Sequence, residues 1–362
     1  IQGAPTEQSS VIPLPVEGND SPMKTNNRHY QSSKLKTLSL LSGVLAIAFA
    51  LAACQPTGTS TLAAIPTGAV TTPVLTATAV AAMPLETATS RVTETAAPQP
   101  EASPTVVRYP EGFWRDLPVI PEGLSDRALE IYKNGLAMGN DPHVYTKIGD
   151  CNSMSPDFLA GFGGFYDLGK DFAYLQPAID YYKKSFRLPN QATNPGTTTS
   201  RLLVSLWNND ECLANEPMLE CQFRVDNPSI AIIALGTIDA KTHQQQPEVY
   251  EQNLRVIIEK TISLGILPVL ATKADNIEGD NSINETIARL AMEYELPLWN
   301  FWKAAQPLVN HGLLDDGEHL NFWSGPPSTD FSLPIAMDYG KEVKNITALQ
   351  MLHFLMVELP AP

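Results

Sequence analysis

The segment VYTKIGDCNSMS, residues 144–155, places a β-type run directly before a tight turn and a cysteine. Residues 144–148 are mostly β-branched or aromatic, which favours a strand, and Gly149 and Asp150 end that run. In open parallel sheets, ligands bind beyond the carboxyl ends of the strands. The sequence therefore predicts that Cys151 lies where a reactive group is useful.

Three further apolar runs predict strands that are covered on both faces, as in a parallel sheet. They are IAIIALGTI at 230–238, ILPVLAT at 266–272 and PLWNF at 297–301, and a weaker strand is expected at 185–189.

Segments with helical spacing of apolar residues alternate with these runs, at 247–264, 281–294 and 340–359. Asn281 is a candidate cap for the second of them. This alternation predicts an α/β fold, doubly wound and flavodoxin-like, with a mostly parallel sheet and helices on both faces.

The N-terminal region has the pattern of an export signal. Basic residues after Met23 precede an apolar run at 38–53, and Cys54 follows directly. The last residues, Leu-Ala-Ala-Cys, resemble the lipobox of bacterial lipoproteins, whose cysteine is acylated. The alternative is an uncleaved anchor, but the run is shorter than the roughly 18 residues of a spanning helix. We therefore expect a lipid anchor on Cys54 and a protein on the outer side of the cell membrane.

Composition divides the chain into four parts. Residues 1–22 form an unassigned extension, and 23–53 form the predicted signal peptide. Residues 54–107 are rich in Thr, Ala and Pro with almost no aromatics, so we expect a disordered linker. Residues 108–362 form the predicted folded domain. The formal net charge of −15, without a basic cluster beyond the N-terminal region, argues against nucleic-acid binding.

The four cysteines have different predicted roles. Cys54 is assigned to the lipid. Cys212 and Cys221 are close in sequence, and an exported protein meets conditions that permit a disulfide between them. A metal site is less favoured for this pair, since neither cysteine has a CxxC or histidine partner nearby. Cys151 remains as the odd cysteine.

Four short motifs, taken in order, resemble the blocks of the SGNH (GDSL-type) hydrolases. GDC at 149–151 resembles the first block, NPG at 194–196 the second, ALGTIDA at 234–240 the third, and DGEH at 316–319 the last. The resemblance implies an SGNH-hydrolase-like domain without a metal or organic cofactor. It also implies a small acyl-ester or glycan substrate, and we expect a monomer.

The resemblance also implies the roles of single residues. Cys151 would be the nucleophile, His319 the base, and Asp316 the acid that orients it, because a thiol needs a base and the base needs a partner. The backbone N–H groups of Cys151 and Gly196 would form the oxyanion hole. Ser153 and His311 are weaker alternatives as nucleophile and base.

Two departures from the family pattern leave two hypotheses open. Cys151 replaces the family's serine, and Ile238 replaces the asparagine that donates a hydrogen bond to the oxyanion. Losing one such donor typically costs ~10²–10³ in rate. One hypothesis is an ester or thioester hydrolase with a Cys-His-Asp arrangement. The other is a degenerate module that binds glycan or an envelope ligand without turnover.

Overall fold

The computed structural model describes residues 109–154, 157–205 and 210–362. The predicted signal peptide, the lipidation site at Cys54 and the predicted linker lie outside the described residues, and so does the N-terminal extension. The predicted domain at 108–362 covers everything that the structure describes.

Four parallel strands form one sheet in the order β1-β2-β3-β4. Residue pairs such as Tyr145–Ile230 and Ile233–Leu270 fix the register between neighbouring strands. The apolar runs become strands because almost every side chain in them is buried, on both faces of the sheet. The strands are β1 (Asp141–Gly149), β2 (Pro228–Ala234), β3 (Leu267–Ala271) and β4 (Leu298–Trp299).

Helices occupy most of the connections between the strands. The three long predicted helices are present within one or two residues of their expected bounds. In the described part of the chain the α-helices are α1 (Asp126–Met138), α2 (Gln176–Tyr181), α3 (Thr199–Leu202), α4 (Met218–Asp226), α5 (Ala240–His243), α6 (Pro247–Ser263), α7 (Ser282–Glu293), α8 (Phe301–Ala305) and α9 (Gly340–Glu358).

Adjacent residues of β1 show that both faces of the sheet are covered. Successive side chains of a strand point to opposite faces. Thr146 lies next to Asp226 of α4. Lys147 donates to the carbonyl of Phe158, whose ring stacks on Trp299 beside α9. The predicted doubly wound α/β class is therefore confirmed.

The predicted strand at 185–189 was wrong. Side chains bond to the free edge of β1 in its place: Ser185 Oγ accepts from the Tyr145 N–H, and Asn190 donates to the Lys147 carbonyl. In the described residues, the β-type pairing at this edge is a single parallel bridge between Gly149 and Thr193.

Asn281 precedes α7 but does not cap it with its side chain. Its backbone is left-handed, with φ of 57°, so its side chain makes no bond to the first turn. In the connection between β1 and β2, Cys212 and Cys221 are joined in a disulfide with their Cα atoms 5.2 Å apart, as the sequence predicts. That bond ties the preceding loop to α4. None of the helices in the described ranges is both long and apolar enough to cross a membrane.

Candidate active site

Cys151 begins a short 3-10 turn, Cys151–Ser153, at the carboxyl end of β1. Asp150 caps this turn, because its carboxylate accepts from the Asn152 N–H at 3.2 Å. Gly149 is required by close packing: a Cβ there would lie 2.5 Å from the Cβ of Ser153. The turn leaves Cys151 half-buried at the end of the sheet.

Asp316 and His319 lie together in an exposed turn. Asp316 Oδ1 accepts the backbone N–H groups of Glu318 and His319 at 2.9 and 3.0 Å, and Oδ2 contacts His319 Nδ1 at 2.8 Å. These hydrogen bonds, the backbone ones foremost, lower the pKa of Asp316 to about 2. The carboxylate is therefore ionised at neutral pH, and Nε2 is the ring nitrogen left for other partners.

The fold brings the cysteine turn and the histidine turn together. Sγ of Cys151, a carboxylate oxygen of Glu318 and a ring nitrogen of His319 all lie within 4.8 Å of one another. Asn152 clamps the two turns, since Nδ2 donates to the Glu318 carbonyl at 3.0 Å and Oδ1 accepts from the Leu320 N–H at 3.1 Å. Cys151 thus forms one cluster with His319 and Asp316, which lie more than 160 residues further along the chain.

The surroundings of Cys151 keep its sulfur protonated. Burial first, and then the negative charges of Asp150 and Glu318, raise the pKa of the thiol to about 11. A thiol is a weak nucleophile until its proton is removed. Any attack by this sulfur therefore needs a base.

A buried lysine supports the turn from below. Lys344 of α9 donates to the Asn152 carbonyl at 2.8 Å and to Ser153 Oγ at 3.1 Å. Burial lowers the pKa of Lys344 to about 8 and raises that of Asp150 to about 6. Ser153 is 1% exposed, so its hydroxyl is part of this support and cannot reach a substrate.

The segment with Gly196 runs beside the end of β1. Gly149 donates its N–H to the Ala192 carbonyl, and Gly196 follows in a turn closed by a Thr197-to-Asn194 bond. The φ of Gly196 is 75°, in the left-handed region that glycine adopts without strain. Gly196 therefore lies three residues beyond Thr193, which bridges Gly149 at the end of β1.

The third motif supports this edge through Asp239. Its carboxylate accepts from the Thr199 N–H at 3.0 Å and from Thr199 Oγ1 at 2.7 Å. Those bonds tie the segment after Gly196 to the segment that follows β2. Ile238, beside it, is half-buried and brings no polar group.

A cleft of about 770 Å³ adjoins the cysteine turn. Phe165 lines it with a side chain that is 63% exposed. The other lining residues include Met154, Arg187, Asn190, Asn194 and Ser328. Met154 directly follows the cysteine turn and is the point where the cleft meets it. A second, apolar cavity of about 490 Å³ lies near the start of β4.

His311, the alternative base, and three tryptophans of the domain lie apart from the cysteine and histidine turns. Trp299 is fully buried in the core, and Trp302 packs edge-on against Trp114. His311 is exposed, and its Nδ1 lies 3.3 Å from the Gln306 carbonyl. Trp323 is half-buried and donates its backbone N–H to Glu342.

Sequence reasoning missed three residues of the site. Glu318 lies inside the DGEH motif but was given no role, although it faces Cys151. Asn152 directly follows the cysteine, and its position was the available signal. Lys344 could have been noticed as a charge on the buried face of a helix. Its partners are more than 190 residues away, so their identity could not be read from the sequence.

Comparison with protein-family models found no match, and a search of curated proteins found none either. Among solved structures, a catalytic mutant of Axe2, an acetylxylan esterase from Geobacillus stearothermophilus, is 16% identical with a TM-score of 0.38, over 58% of this chain and 94% of that one. A GDSL-like lipase from Bacteroides thetaiotaomicron is 15% identical with a TM-score of 0.35, over 63% and 98% of the two chains. TesA is 15% identical with a TM-score of 0.32, over 59% and 97%. Scores this low carry no conclusion about activity.

Proposed function

We propose that this protein is an SGNH-type hydrolase of ester or thioester bonds, held on the outer face of the cell membrane by a lipid on Cys54. The observation that carries the proposal is that a ring nitrogen of His319 lies within 4.8 Å of the Cys151 sulfur, while Asp316 contacts Nδ1 of the same ring at 2.8 Å. A nucleophile, a base and an orienting acid in that order are what acyl transfer requires.

The reaction proceeds through a thioester on the protein. His319 Nε2 takes the proton of Cys151 while the sulfur attacks the substrate carbonyl carbon, and the carbonyl oxygen becomes an oxyanion. As the intermediate collapses, the carbon–oxygen bond to the alcohol breaks and the imidazolium returns its proton to the leaving oxygen. His319 then takes a proton from water, whose oxygen attacks the thioester carbon. The carbon–sulfur bond breaks, the acid leaves, and the imidazolium returns its proton to the Cys151 sulfur. Asp316, ionised at neutral pH, stabilises the imidazolium in both steps.

Glycan-linked acyl groups are the substrates that we favour. The cleft beside the cysteine turn is large enough for a sugar residue, since ligand sites are typically 300–1,000 Å³. The exposed ring of Phe165 offers a face on which a sugar can stack. Arg187, Asn190 and Asn194 supply polar groups along the same cleft.

A second candidate is a binding module that has lost turnover. The pKa of about 11 for the Cys151 thiol favours it, because the sulfur remains protonated at neutral pH. Ile238, which cannot donate to an oxyanion, favours it as well. In this case the cleft would bind glycan, and the cluster of Cys151, His319 and Asp316 would be a remnant.

The two candidates are separated by assaying the full chain on an activated acetyl ester and on an activated thioester. We expect slow turnover that Cys151→Ala removes and that His311→Asn, the control on an exposed histidine, leaves unchanged. Cys151→Ser combined with Ile238→Asn restores the family's hydroxyl and its missing donor. This double variant should exceed Cys151→Ser alone by up to ~10²–10³ in kcat.

One result would count against hydrolysis, and another against Cys151 as the nucleophile. If neither the parent nor the double variant turns over any ester while both bind acetylated oligosaccharide, the binding module is correct. If Cys151→Ala keeps the parental rate, the sulfur is not the nucleophile.

A further inference from the structure

The substitution of cysteine at the nucleophile position creates a set of ligands that a serine would not. Cys151, Glu318 and His319 offer a thiol, a carboxylate and an imidazole, with the three ligand atoms within 4.8 Å of one another. These are the three side-chain types that bind Zn²⁺. We propose that this cluster binds a divalent cation of the zinc class.

The separations suit a tetrahedral ion after a small movement. Zinc bonds of 2.0–2.3 Å imply ligand atoms about 3.3–3.7 Å apart at tetrahedral angles. A pair of ligand atoms at the full 4.8 Å would have to close by roughly 1 Å. The side chain of Glu318 can supply it by rotation, since that residue lies in a turn at the surface.

The second observation concerns the orientation of His319. Metal-bound histidines nearly always have their other ring nitrogen bonded to a carboxylate, a carbonyl or water, which fixes the ring. Asp316 Oδ2 makes this contact with Nδ1 at 2.8 Å, so Nε2 is directed away from Asp316 and is free for a metal. Asn152 holds the Glu318 backbone against the cysteine turn, which keeps the ligands together without a bound ion.

The donor set selects the class of ion. A thiolate and an imidazole suit zinc and its neighbours among the transition metals, whereas calcium and magnesium take oxygen ligands. Three protein ligands leave a fourth position for water, as in open zinc sites. Lys241 pairs with Oε1 of Glu318 at 3.1 Å, and a carboxylate has a second oxygen that a metal ion can take.

Binding would also control the reaction proposed above. As the metal–sulfur bond forms, the Cys151 thiol gives its proton to the solvent and its lone pair to the metal, and Nε2 of His319 becomes occupied. Neither group is then available for acyl transfer. Metal binding itself does not depend on hydrolysis, but its inhibitory effect rests on the proposed function.

The test is a titration of the full chain, carrying Cys54→Ser, with Co²⁺ as a spectroscopic probe, followed by competition with Zn²⁺. The parent should show the near-ultraviolet thiolate-to-cobalt band and the visible bands of a four-coordinate ion. Cys151→Ser should lose the thiolate band. Glu318→Gln and Asp316→Asn should each lower the affinity for Zn²⁺ at least ~10-fold.

Two matched controls keep the result interpretable. Glu285→Gln and His311→Asn, at positions outside the cluster, should bind as the parent does. Circular dichroism establishes that each variant is folded. The proposal is overturned if folded parent protein gives no thiolate band, or if Cys151→Ser and Glu318→Gln bind Zn²⁺ with parental affinity.

Ester hydrolysis, measured with Zn²⁺ and with a chelator, separates this proposal from the previous one. A thiolate–cobalt band without turnover under any condition supports the metal site and rejects the hydrolase. Turnover that Zn²⁺ does not change, in protein that gives no band, rejects the metal site alone.

Discussion

Cys151 differs from an ordinary cysteine because burial, and then the charges of Asp150 and Glu318, act on its sulfur. Its pKa is about 11, against an ordinary value of 9.0. Alkylation by iodoacetamide requires the thiolate, so in a Cys54→Ser chain the rate should rise about tenfold per pH unit from pH 8 to 10 without levelling. Glu318→Gln removes one of the negative charges, so the alkylation rate of this variant should begin to level off at a lower pH than in the parent. Glu285→Gln is the matched control, and levelling of the parental rate near pH 9 would contradict the assignment.

Asp150 makes a pH-dependent contribution to stability, with a definite sign. Burial raises its pKa from 3.8 to about 6, so the folded state holds a proton that the unfolded state has lost between these values. The unfolding free energy should therefore fall as pH rises from about 4 to about 6, by roughly 2–3 kcal/mol. When the free energy of unfolding is measured with urea across this pH range, Asp150→Asn should lack this part of the decline. The control Asp338→Asn, at an exposed position, should keep it. Identical pH slopes in all three proteins would refute the effect.

At the scale of elements, the clamp formed by Asn152 holds two turns in one arrangement. Asn152→Ala removes both of its bonds, to the Glu318 carbonyl and from the Leu320 N–H. A displacement of about 1 Å between reacting groups can cost ~10² in rate, so we expect kcat for the activated ester to fall by that order. Asn152→Asp keeps the acceptor and loses the donor, and its kcat should lie between those of the parent and Asn152→Ala. A parental rate in Asn152→Ala would show that the turns hold their places without the clamp.

Local pattern was sufficient for the long elements. The helix expected at 247–264 is Pro247–Ser263, and the strand at 266–272 is Leu267–Ala271, because each buries a continuous apolar face. The prediction of a strand at 185–189 was wrong because Ser185 and Asn190 bond to the backbone of β1 through their side chains. Strand propensity does not reveal such bonds.

In the candidate site, local contacts could be predicted from the sequence and long-range contacts could not. Asp316 and His319 are three residues apart, and their contact follows from one turn, so spacing alone could suggest it. The contacts of Asn152 and Lys344 join residues 166 to 192 positions apart, and only the fold brings them together.

At the scale of the molecule, the lipid on Cys54 remains a prediction from the sequence, since that residue lies outside the described ranges. Mass spectrometry of envelope-bound protein should find an acylated cysteine at the mature N-terminus. Cys54→Ser should release the protein from the membrane fraction or leave its signal uncleaved. A mature N-terminus at any other residue, or an intact run at 38–53, would rule the anchor out.

The side chains along β1 matter for a protein that the predicted lipid on Cys54 would concentrate at a membrane. A lipid-held protein diffuses in two dimensions among copies of itself, where an open strand edge is a template for pairing and fibre growth. Ser185 and Asn190 occupy the bonding positions of one sheet edge, and beside β4 the Asn300 N–H bonds to the Val119 carbonyl. Neighbouring copies would therefore find few free backbone groups on which to build a shared sheet.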